Sequence, residues 1–347
     1  MNHKKREPAP GVFRLVLPLP FPGLDRVNAY LLADDDAPVL VDCGIYSPSE
    51  DSDHGWDDLV AAAAACDIDV HDIGRLVITH PHIDHYGMAA RLVKEVGCEV
   101  LMHEAADEDL AVYKDPDGVV ERLRHMLLEH GVPADELGEL TAFANWQPYV
   151  SGVVEATTRL KGGETIRVGG RDWEVVWTPG HSPAHVCLWT ADDGTPDPAL
   201  GGATSALISG DHLLPSITPH IDYKGEGEED PLGDFLASLE RVEELAPDLV
   251  LPGHGRPFDD GAERARAIAR HHDRRLGAIL QVIRREPASA RAITDEIFGT
   301  TLLNFQRRLA MGEALAHLAY LEKRGEVELI TTDDGRALYQ KVQRRPS

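Results

Sequence analysis

The sequence has few cysteines, few basic residues and no long apolar run, and each shortage argues against a class of protein. Its four cysteines lie far apart and form no CxxC pair, which argues against a disulfide framework and predicts a reducing, cytoplasmic location. Lys and Arg number 34 against 59 Asp and Glu, for a net charge of −25, so Coulomb repulsion opposes general binding to nucleic acids or anionic membranes. The apolar runs are strand-length and are interrupted by proline or charge, so no membrane-spanning segment is predicted.

Charge divides the chain near residue 260. Residues 261–347 contain 16 basic and 11 acidic side chains, whereas residues 1–260 contain 18 and 48. We therefore predict one large domain over 1–260 and a small C-terminal domain over 261–347. Segment 104–159 is acidic and mostly helical, and we interpret it as an insert or lid of the large domain.

Short Leu-rich or β-branched runs that end at Gly, Pro, Asp or His dominate the first 260 residues, with helical patterns between some of them. This order predicts an α+β fold in which two sheets pack together with helices outside them. In the tail, helical patterns at 261–285, 289–298 and 306–324 precede a hairpin with strands at 326–330 and 336–342. Three helices and a two-stranded wing are typical of a winged-helix domain, and a helical cap or dimerisation module is the alternative.

Ligand-type side chains are concentrated in the sequence THPHIDHYG at residues 79–87, which follows an apolar strand and precedes a helix. His80 and His82 lie on one side of an extended segment, while Asp84 and His85 fall at the turn into the helix. Imidazole nitrogens and carboxylate oxygens ligate zinc or iron in open catalytic sites. Four such side chains within six residues therefore indicate two metal ions rather than one.

Three more ligand-type side chains follow apolar strands later in the chain: His181 after a Pro-Gly turn, Asp211 in SGDH, and His254 in PGHG. Loops that leave a sheet commonly carry functional groups, and a carboxylate can bridge two cations. We interpret His185, His212 and His220 as supporting or substrate-facing residues. The other nine histidines are interpreted as surface or packing residues: His3, His54, His71, His103, His125, His130, His271, His272 and His317.

The pattern His80-x-His82-x-Asp84-His85, followed by His181, Asp211 and His254, resembles the metallo-β-lactamase-fold hydrolases, whose early strand and turn match LVDCG at 40–44. The resemblance covers about residues 12–260 and implies an αββα sandwich, with metals at one edge of the two sheets, as the catalytic domain. It implies a first metal held by His80, His82 and His181, a second held by Asp84, His85 and His254, Asp211 as the bridge, and Asp42 as a support behind the ligands.

Within this superfamily, SGDHLLP at 209–215 and the winged-helix-like tail resemble the β-lactamase-like protein 2 and glyoxalase II-like branch. The presence of both Asp84 and Asp211 is unlike true β-lactamases, so antibiotic hydrolysis is not expected. Members of this branch include hydrolases of acyl compounds and also endoribonucleases. The resemblance therefore leaves the substrate open.

We predict a hydrolase with two Zn²⁺ per chain, iron or manganese being the alternatives. A hydroxide shared by the two ions attacks a small carboxylic ester, thioester or lactone. Asp84 and Asp211 are the catalytic candidates, Asp211 by bridging the ions and Asp84 by orienting the nucleophile or relaying its proton. This last role is a hypothesis.

Other functions compete with this prediction. A metal-dependent endoribonuclease or phosphodiesterase is the main alternative, and RNA is the less favoured partner because the first 260 residues are so acidic. Tyr86, His220, Asp222 and Tyr223 are candidates to line the substrate pocket, while Arg307 and Arg308 would be the nucleic-acid contacts of a winged helix. A DNA-binding scaffold and a mononuclear iron, persulfide-dioxygenase-like enzyme are weaker alternatives. The Arg-rich helix predicted at 261–285 is a candidate homodimer contact.

Overall fold

The computed structural model describes residues 7–21, 23–48, 53–142, 146–191, 200, 202–225, 230–333 and 335–342. It divides into two compact units. The first unit comprises residues 1–114, 146–219 and 238–265, and the second comprises 115–145, 220–237 and 266–347. The Gly-, Pro- and Asp-rich composition of segment 191–204 predicts an exposed loop, and this segment lies mostly outside the described residues. The division of the chain at residue 260 and the role of segment 104–159 as a lid stay predictions.

Two six-stranded sheets form the first unit. In the first sheet the strand order follows the chain: β1 (Val12–Phe21), β2 (Leu24–Leu32), β3 (Val39–Val41), β4 (Arg75–Val77), β5 (Glu99–His103) and β6 (Thr158–Leu160). In the second sheet the order is reversed from β12 (Phe258–Asp259) through β11 (Leu249–Pro252), β10 (Ser205–Gly210), β9 (Val186–Ala191) and β8 (Arg171–Trp177) to β7 (Thr165–Val168). Strands β3 to β6 run parallel, as do β10 and β11.

Side chains that alternate between the two faces of the strands form two hydrophobic clusters. One lies between the two sheets, and the other lies between the first sheet and its helices. Val39, Val41 and Val77 join Val175 and Leu188 of the second sheet in one buried cluster. Their sequence neighbours point the opposite way, because successive side chains of a strand alternate between faces. These neighbours, Leu40, Leu76 and Ile78, pack with residues of the helices α1 (His54–Ala64) and α3 (Ala89–Val96) in a second cluster. The prediction of two packed sheets with helices outside them is confirmed.

Strand β1 is longer than the sequence pattern predicted. The apolar run at 12–17 predicts a strand that ends before Pro18, yet Pro18 and Pro20 lie inside β1. Proline lacks an N–H and is therefore tolerated in a strand only where that donor is not needed, as at a sheet edge. Because β1 is the outer strand of its sheet, the hairpin of β1 and β2 continues to Phe21 and Leu24.

The helices between the strands are α2 (Ile83–Tyr86), α4 (Ala106–Lys114), α5 (Pro116–Glu129), α6 (Leu137–Thr141), α7 (Pro231–Leu245) and α8 (Gly261–Ile283). Helices α7 and α8 contribute residues to both units. The residue pattern at 133–144 predicts a longer helix than α6, which begins at Leu137 and ends at Thr141. In the described part of the chain, no helix is long and apolar enough to cross a membrane.

The elements predicted for the tail lie in the second unit, except that its first helix, α8, begins in the first unit. Helices α9 (Ala290–Phe298) and α10 (Asn304–Lys323) precede the antiparallel pair β13 (Val327–Thr331) and β14 (Ala337–Lys341). The same unit also includes α5 and α6, so it is larger than three helices and a wing. The winged-helix assignment therefore stays a prediction, as does binding of nucleic acid by this unit.

Candidate metal centre

The seven predicted ligands lie at the ends of strands that meet at one edge of the first unit. His80 and His82 follow β4, and Asp84 and His85 lie on the single turn of α2. His181 lies in the loop between β8 and β9, Asp211 follows β10, and His254 follows β11. Because β10 and β11 are parallel neighbours, the side chains that follow them start from the same edge of the second sheet. These residues are far apart in the sequence, and the sheet topology brings them close together in space.

Three imidazoles form the first group of candidate ligands. His80 Nε2 lies 3.0 Å from His82 Nδ1 and 3.2 Å from His181 Nε2. Zinc–nitrogen bonds of about 2.0–2.1 Å in tetrahedral geometry separate two ligand nitrogens by about 3.3 Å. These two spacings are close to that value, so the group fits one ion. That these three residues hold a metal stays a prediction.

The second group comprises Asp84, His85 and His254. His254 Nε2 lies 3.1 Å from Asp84 Oδ2, and His85 Nε2 lies 3.8 Å from the same oxygen. Asp211 reaches both groups, since its Oδ2 lies 3.4 Å from His254 Nε2 and 3.8 Å from His181 Nε2. The Asp211 carboxylate thus lies close to ligand-type nitrogens of both groups.

Polar atoms without partners test whether this site fits a cation. Among the described residues, the buried atoms His85 Nε2, His254 Nε2 and Asp211 Oδ1 form no hydrogen bond of acceptable geometry, although a carboxylate oxygen or an imidazole nitrogen lies 3.1–3.4 Å from each. A buried polar atom left unpaired costs about 1–3 kcal/mol, and three such atoms in one place need a common explanation. Nitrogen and carboxylate lone pairs that converge at about 3–4 Å are satisfied by a divalent cation, so the residues fit a metal site.

The charges at the centre are strongly coupled. Burial opposes ionisation of Asp84, yet His85 and His254 lower the pKa of Asp84 to about 2. Burial likewise opposes protonation of His254, but Asp211 and Asp84 raise the pKa of His254 to about 10. Burial and the neighbouring imidazoles hold the pKa of His80 well below its usual range. The carboxylates of Asp84 and Asp211 are therefore ionised. They stabilise a positive charge beside them, either on a protonated imidazole or on a metal ion.

Asp42 holds His85 from behind. Its Oδ2 accepts hydrogen bonds from His85 Nδ1 at 2.7 Å and from the Thr79 hydroxyl at 2.8 Å, and its Oδ1 accepts from the Thr79 amide at 2.8 Å. Asp42 follows β3, the parallel neighbour of β4, and has a positive φ of 61°. A carboxylate on Nδ1 leaves the Nε2 lone pair of His85 directed toward the site. This contact fits the supporting role that the resemblance implied for Asp42.

His254 and Asp211 are also held in position by residues behind them. His254 Nδ1 donates to the backbone carbonyl of Arg26 at 2.8 Å, and the Asp211 amide donates to His185 Nε2 at 3.1 Å. His185 Nδ1 lies 2.8 Å from the hydroxyl of Thr178. His185 therefore acts on the backbone of Asp211, as a supporting residue. Sequence reasoning missed Thr79, Thr178 and Arg26, whose contributions are a hydroxyl or a backbone group of a common residue type.

Gly253 is required by the close approach of the loops. A Cβ at this position would lie 2.4 Å from Asp211 Oδ1 and 2.8 Å from His85 Cε1. Any larger residue would have to displace two candidate ligands. The PGHG pattern around His254 thus has a steric reason that the sequence alone did not give.

Several histidines interpreted as surface or packing residues are buried. His272 and His317 are fully buried in the second unit, with His272 Nδ1 lying 3.1 Å from His317 Nε2. With Glu313 they form another group of ligand-type atoms. However, the Arg275 guanidinium is paired with the Glu313 carboxylate, and a divalent cation beside that guanidinium would meet a like charge. We therefore interpret this group as a hydrogen-bonded packing cluster.

The predicted pocket and nucleic-acid residues have structural partners. The Tyr86 hydroxyl donates to the carbonyl of Val154 at 2.9 Å and is committed to that segment. Arg308 binds Asp222 through two nitrogens at 3.0 and 2.8 Å, and Arg307 lies 3.4 Å from a Glu136 oxygen. The charges of Arg307 and Arg308 are therefore compensated within the second unit rather than presented as unpaired phosphate contacts.

His220 gives the second unit a pH-dependent stability. Its Nε2 lies 3.8 Å from Asp222 and its Nδ1 lies 4.0 Å from Glu313, which also contact Arg308 and Arg275. Burial opposes its protonation, but the two carboxylates raise the pKa of His220 to about 9. The stabilisation is full below the pH of about 6.5 at which the unfolded imidazole titrates, and it is lost as the pH rises through about 9.

We expect thermal unfolding measured from about pH 6 to 10 to show this loss, worth about 2–3 kcal/mol. In His220→Gln the fall between about pH 6.5 and 9 should be smaller by this amount, and the rest of it comes from His254 and His85, whose pKa values are also raised. His125→Gln is the matched control, since His125 is exposed and lies beside Glu121. Equal pH profiles for the wild type and His220→Gln would contradict the assignment.

The chain is similar to known proteins in family, in sequence and in structure. Residues 22–195 match the model of the metallo-beta-lactamase superfamily, and residues 276–342 match that of a metallo-beta-lactamase-like C-terminal domain. The probable metallo-hydrolase YqjP of Bacillus subtilis is 26% identical over 96% of this chain and 98% of its own. The beta-lactamase-like protein 2 homolog of Drosophila melanogaster is 25% identical over 90% of this chain and 87% of its own.

Two solved structures are similar to this chain over nearly its whole length. A beta-lactamase domain protein from Burkholderia ambifaria is 32% identical with a TM-score of 0.79, covering 96% of this chain and 93% of its own. A metallo-beta-lactamase family protein from Thermus thermophilus is 28% identical with a TM-score of 0.78, covering 96% of this chain and 99% of its own. Both units of this chain are thus included in the similarity.

Proposed function

This chain belongs to the metallo-β-lactamase superfamily and is a metal-dependent hydrolase, and from this premise we propose that it hydrolyses small carboxylic esters, thioesters or lactones with a pair of metal ions. The observation that carries the proposal is the position of Asp211. Its carboxylate lies within 3.8 Å of ligand nitrogens from both groups. One carboxylate shared between two groups of ligands is the arrangement that a binuclear centre needs.

Each candidate residue has a role in this proposal. His80, His82 and His181 would hold one ion, Asp84, His85 and His254 the other, and Asp211 both. When bound, two divalent ions, zinc in our proposal, supply Lewis acidity that activates water and polarises the substrate carbonyl. Asp84, whose Oδ2 lies 3.1 Å from His254 Nε2, would also orient the attacking water or relay its proton, and this role is a hypothesis. No serine or cysteine nucleophile is required, because activated water attacks the acyl carbon directly.

The acyl class is favoured over RNA by charge. The first 260 residues hold 48 acidic and 18 basic side chains, which opposes the approach of a polyanion. In the second unit, Arg308 is bound to Asp222 and does not supply an unpaired cation for a phosphate backbone. A small substrate with little charge meets neither obstacle.

The test pairs metal analysis with a substrate panel. We expect about two zinc ions per chain, and turnover of acyl thioesters, lactones or aryl esters that falls at least about 100-fold with chelator and returns with zinc. A bis-aryl phosphodiester and single-stranded RNA complete the panel. Two metals with cleavage of only the phosphodiester or RNA would replace the proposal with the nuclease alternative. One iron per chain without hydrolysis would contradict both.

A further inference from the structure

A groove beside the metal centre shares one of its candidate ligands. The groove has a volume of about 1260 Å³ and lies within the first unit, between the β1–β2 hairpin, the loop at 215–217 and the loop that follows β11. His254 lines it, and so do Arg14, Arg26 and Arg256. Three arginines in one groove stand out because acidic residues outnumber basic ones so strongly in the first 260 residues.

Arg14 is held in place by the same loop that carries His254. Its Nε donates to Asn28 Oδ1 at 3.0 Å. Asn28 is 2% exposed, and its Nδ2 donates to the carbonyls of Pro252 at 2.7 Å and Gly255 at 2.9 Å. Asn28 therefore fixes the Nε edge of the guanidinium, and the remaining N–H groups of Arg14 are left for a ligand.

Arg14 and Arg256 carry positive charge that no acid in the described chain compensates by an ion pair. Burial lowers the pKa of Arg14, and the charge of Arg256 lowers it further, so the two guanidinium groups repel each other. Arg26 differs, because its Nε lies 3.8 Å from Asp25 Oδ2. The other acid of the groove, Asp259, is exposed. An anion placed between Arg14 and Arg256 would remove this repulsion.

We propose that Arg14 and Arg256 bind an oxyanion, a carboxylate or a phosphate, that is carried by the substrate at a distance from its scissile bond. A guanidinium presents N–H groups in a fork that matches either oxyanion. Arg256 is two residues from His254, and both line the groove. An anion bound by Arg256 therefore lies next to the loop that carries this candidate ligand. The proposal rests on the proposed function and narrows it: the preferred ester or thioester has an anionic arm.

The negative charge of the unit does not prevent this binding. At physiological ionic strength, charges more than about 8 Å apart are largely screened, whereas charge-assisted hydrogen bonds act at contact distance. A single anionic group meets two guanidinium groups locally. A polyanion such as RNA would have to place many phosphates over acidic surface as well.

The kinetic test compares three thioesters of one acyl chain length: neutral, with a terminal carboxylate on the acyl chain, and with a phosphate on the thiol. For Arg14→Gln and Arg256→Gln we expect KM for one of the anionic substrates to rise about 10- to 100-fold. KM for the neutral substrate and all kcat values should stay near wild type. Arg14→Lys and Arg256→Lys, which keep the charge but lose the fork, should recover part of the loss. The affected substrate identifies which oxyanion is bound.

Arg167→Gln is the matched control, because Arg167 lies in the same unit, pairs with Asp172 and does not line the groove. Equal KM changes for neutral and anionic substrates, or the same changes in Arg167→Gln, would overturn the proposal. Calorimetric titration of the metal-loaded protein with inorganic phosphate and with acetate gives a readout without catalysis. Binding at least about 10-fold weaker in the Arg14→Gln, Arg256→Gln double variant is expected. Unchanged binding of both anions would overturn the anion site even if no acyl substrate is turned over, whereas lost binding without turnover would overturn only the proposed function.

Discussion

Replacing Asp211 with Asn is expected to lower kcat/KM about 1000-fold, through kcat, because in our proposal this residue would bridge two ions whose charge would be the main stabiliser of the transition state. The amide keeps the size of the side chain and one oxygen but removes the negative charge. Oδ1 of Asp211 lies 3.4 Å from His85 Nε2, and Oδ2 lies 3.4 Å from His254 Nε2. In the Asn variant an amide nitrogen must replace one of these two oxygens. The measurement is steady-state turnover of the best acyl substrate, with metal content determined on the same sample.

The fold should survive this change. The Asp211 backbone amide still donates to His185 Nε2, and strand β10 is not altered. Asp172→Asn is the control, since Asp172 is exposed and pairs with Arg167 at the surface. If Asp211→Asn retained two metals per chain and more than about a tenth of the wild-type kcat, the bridging role would be wrong.

Asp42→Asn is expected to weaken metal binding about 10- to 100-fold, although Asp42 is not a candidate ligand. The carboxylate accepts three hydrogen bonds, two from Thr79 and one from His85. An amide can offer only one oxygen to these donors. If its NH₂ faces Thr79, two donors oppose each other. If it faces His85 Nδ1, that nitrogen must accept, and the proton then moves to Nε2 and blocks the lone pair needed for the metal.

Competition against a chelator of known affinity measures this effect directly. We also expect a loss of about 1–3 kcal/mol in stability, since a buried donor is left unsatisfied. Asp69→Asn serves as the comparison: Asp69 pairs with His71 at 2.8 Å, the same chemistry in an exposed position, and should leave metal affinity unchanged. Wild-type metal affinity in Asp42→Asn would show that Asp42 does not set the orientation of His85.

Metal-centre and groove variants report on different properties. Changes at Asp211 and Asp42 act on every substrate, because they alter the centre that performs the chemistry. Changes at Arg14 and Arg256 act only on substrates with an anionic arm. A variant panel that separates these two patterns would therefore distinguish the reaction itself from the selection of its substrate.

Local patterns in the sequence determined the sheets and the position of the ligand-bearing loops. The alternation of Leu40 with Val41 and of Leu76 with Val77 places one residue on each face of the sheet, as the period of two requires. The motif at 79–87 places four ligand-type side chains within six residues of the sequence. A segment this short keeps them close together in space. These features depend on neighbouring residues and could be predicted from the sequence.

The tertiary structure decided which distant groups meet; for the ligand residues the family resemblance had implied this, whereas the residue patterns by themselves had not. The pairing of β10 with β11 brings Asp211 beside His254, and the hairpin of β1 and β2 brings Arg14 and Asn28 to the loop after His254. The pairing of Arg308 with Asp222 has the same origin. Such contacts depend on strand order and helix packing, which sum many weak interactions over the whole chain, and no local pattern encodes them. The sequence thus determined the chemistry that is available, and the fold decided which of it acts together.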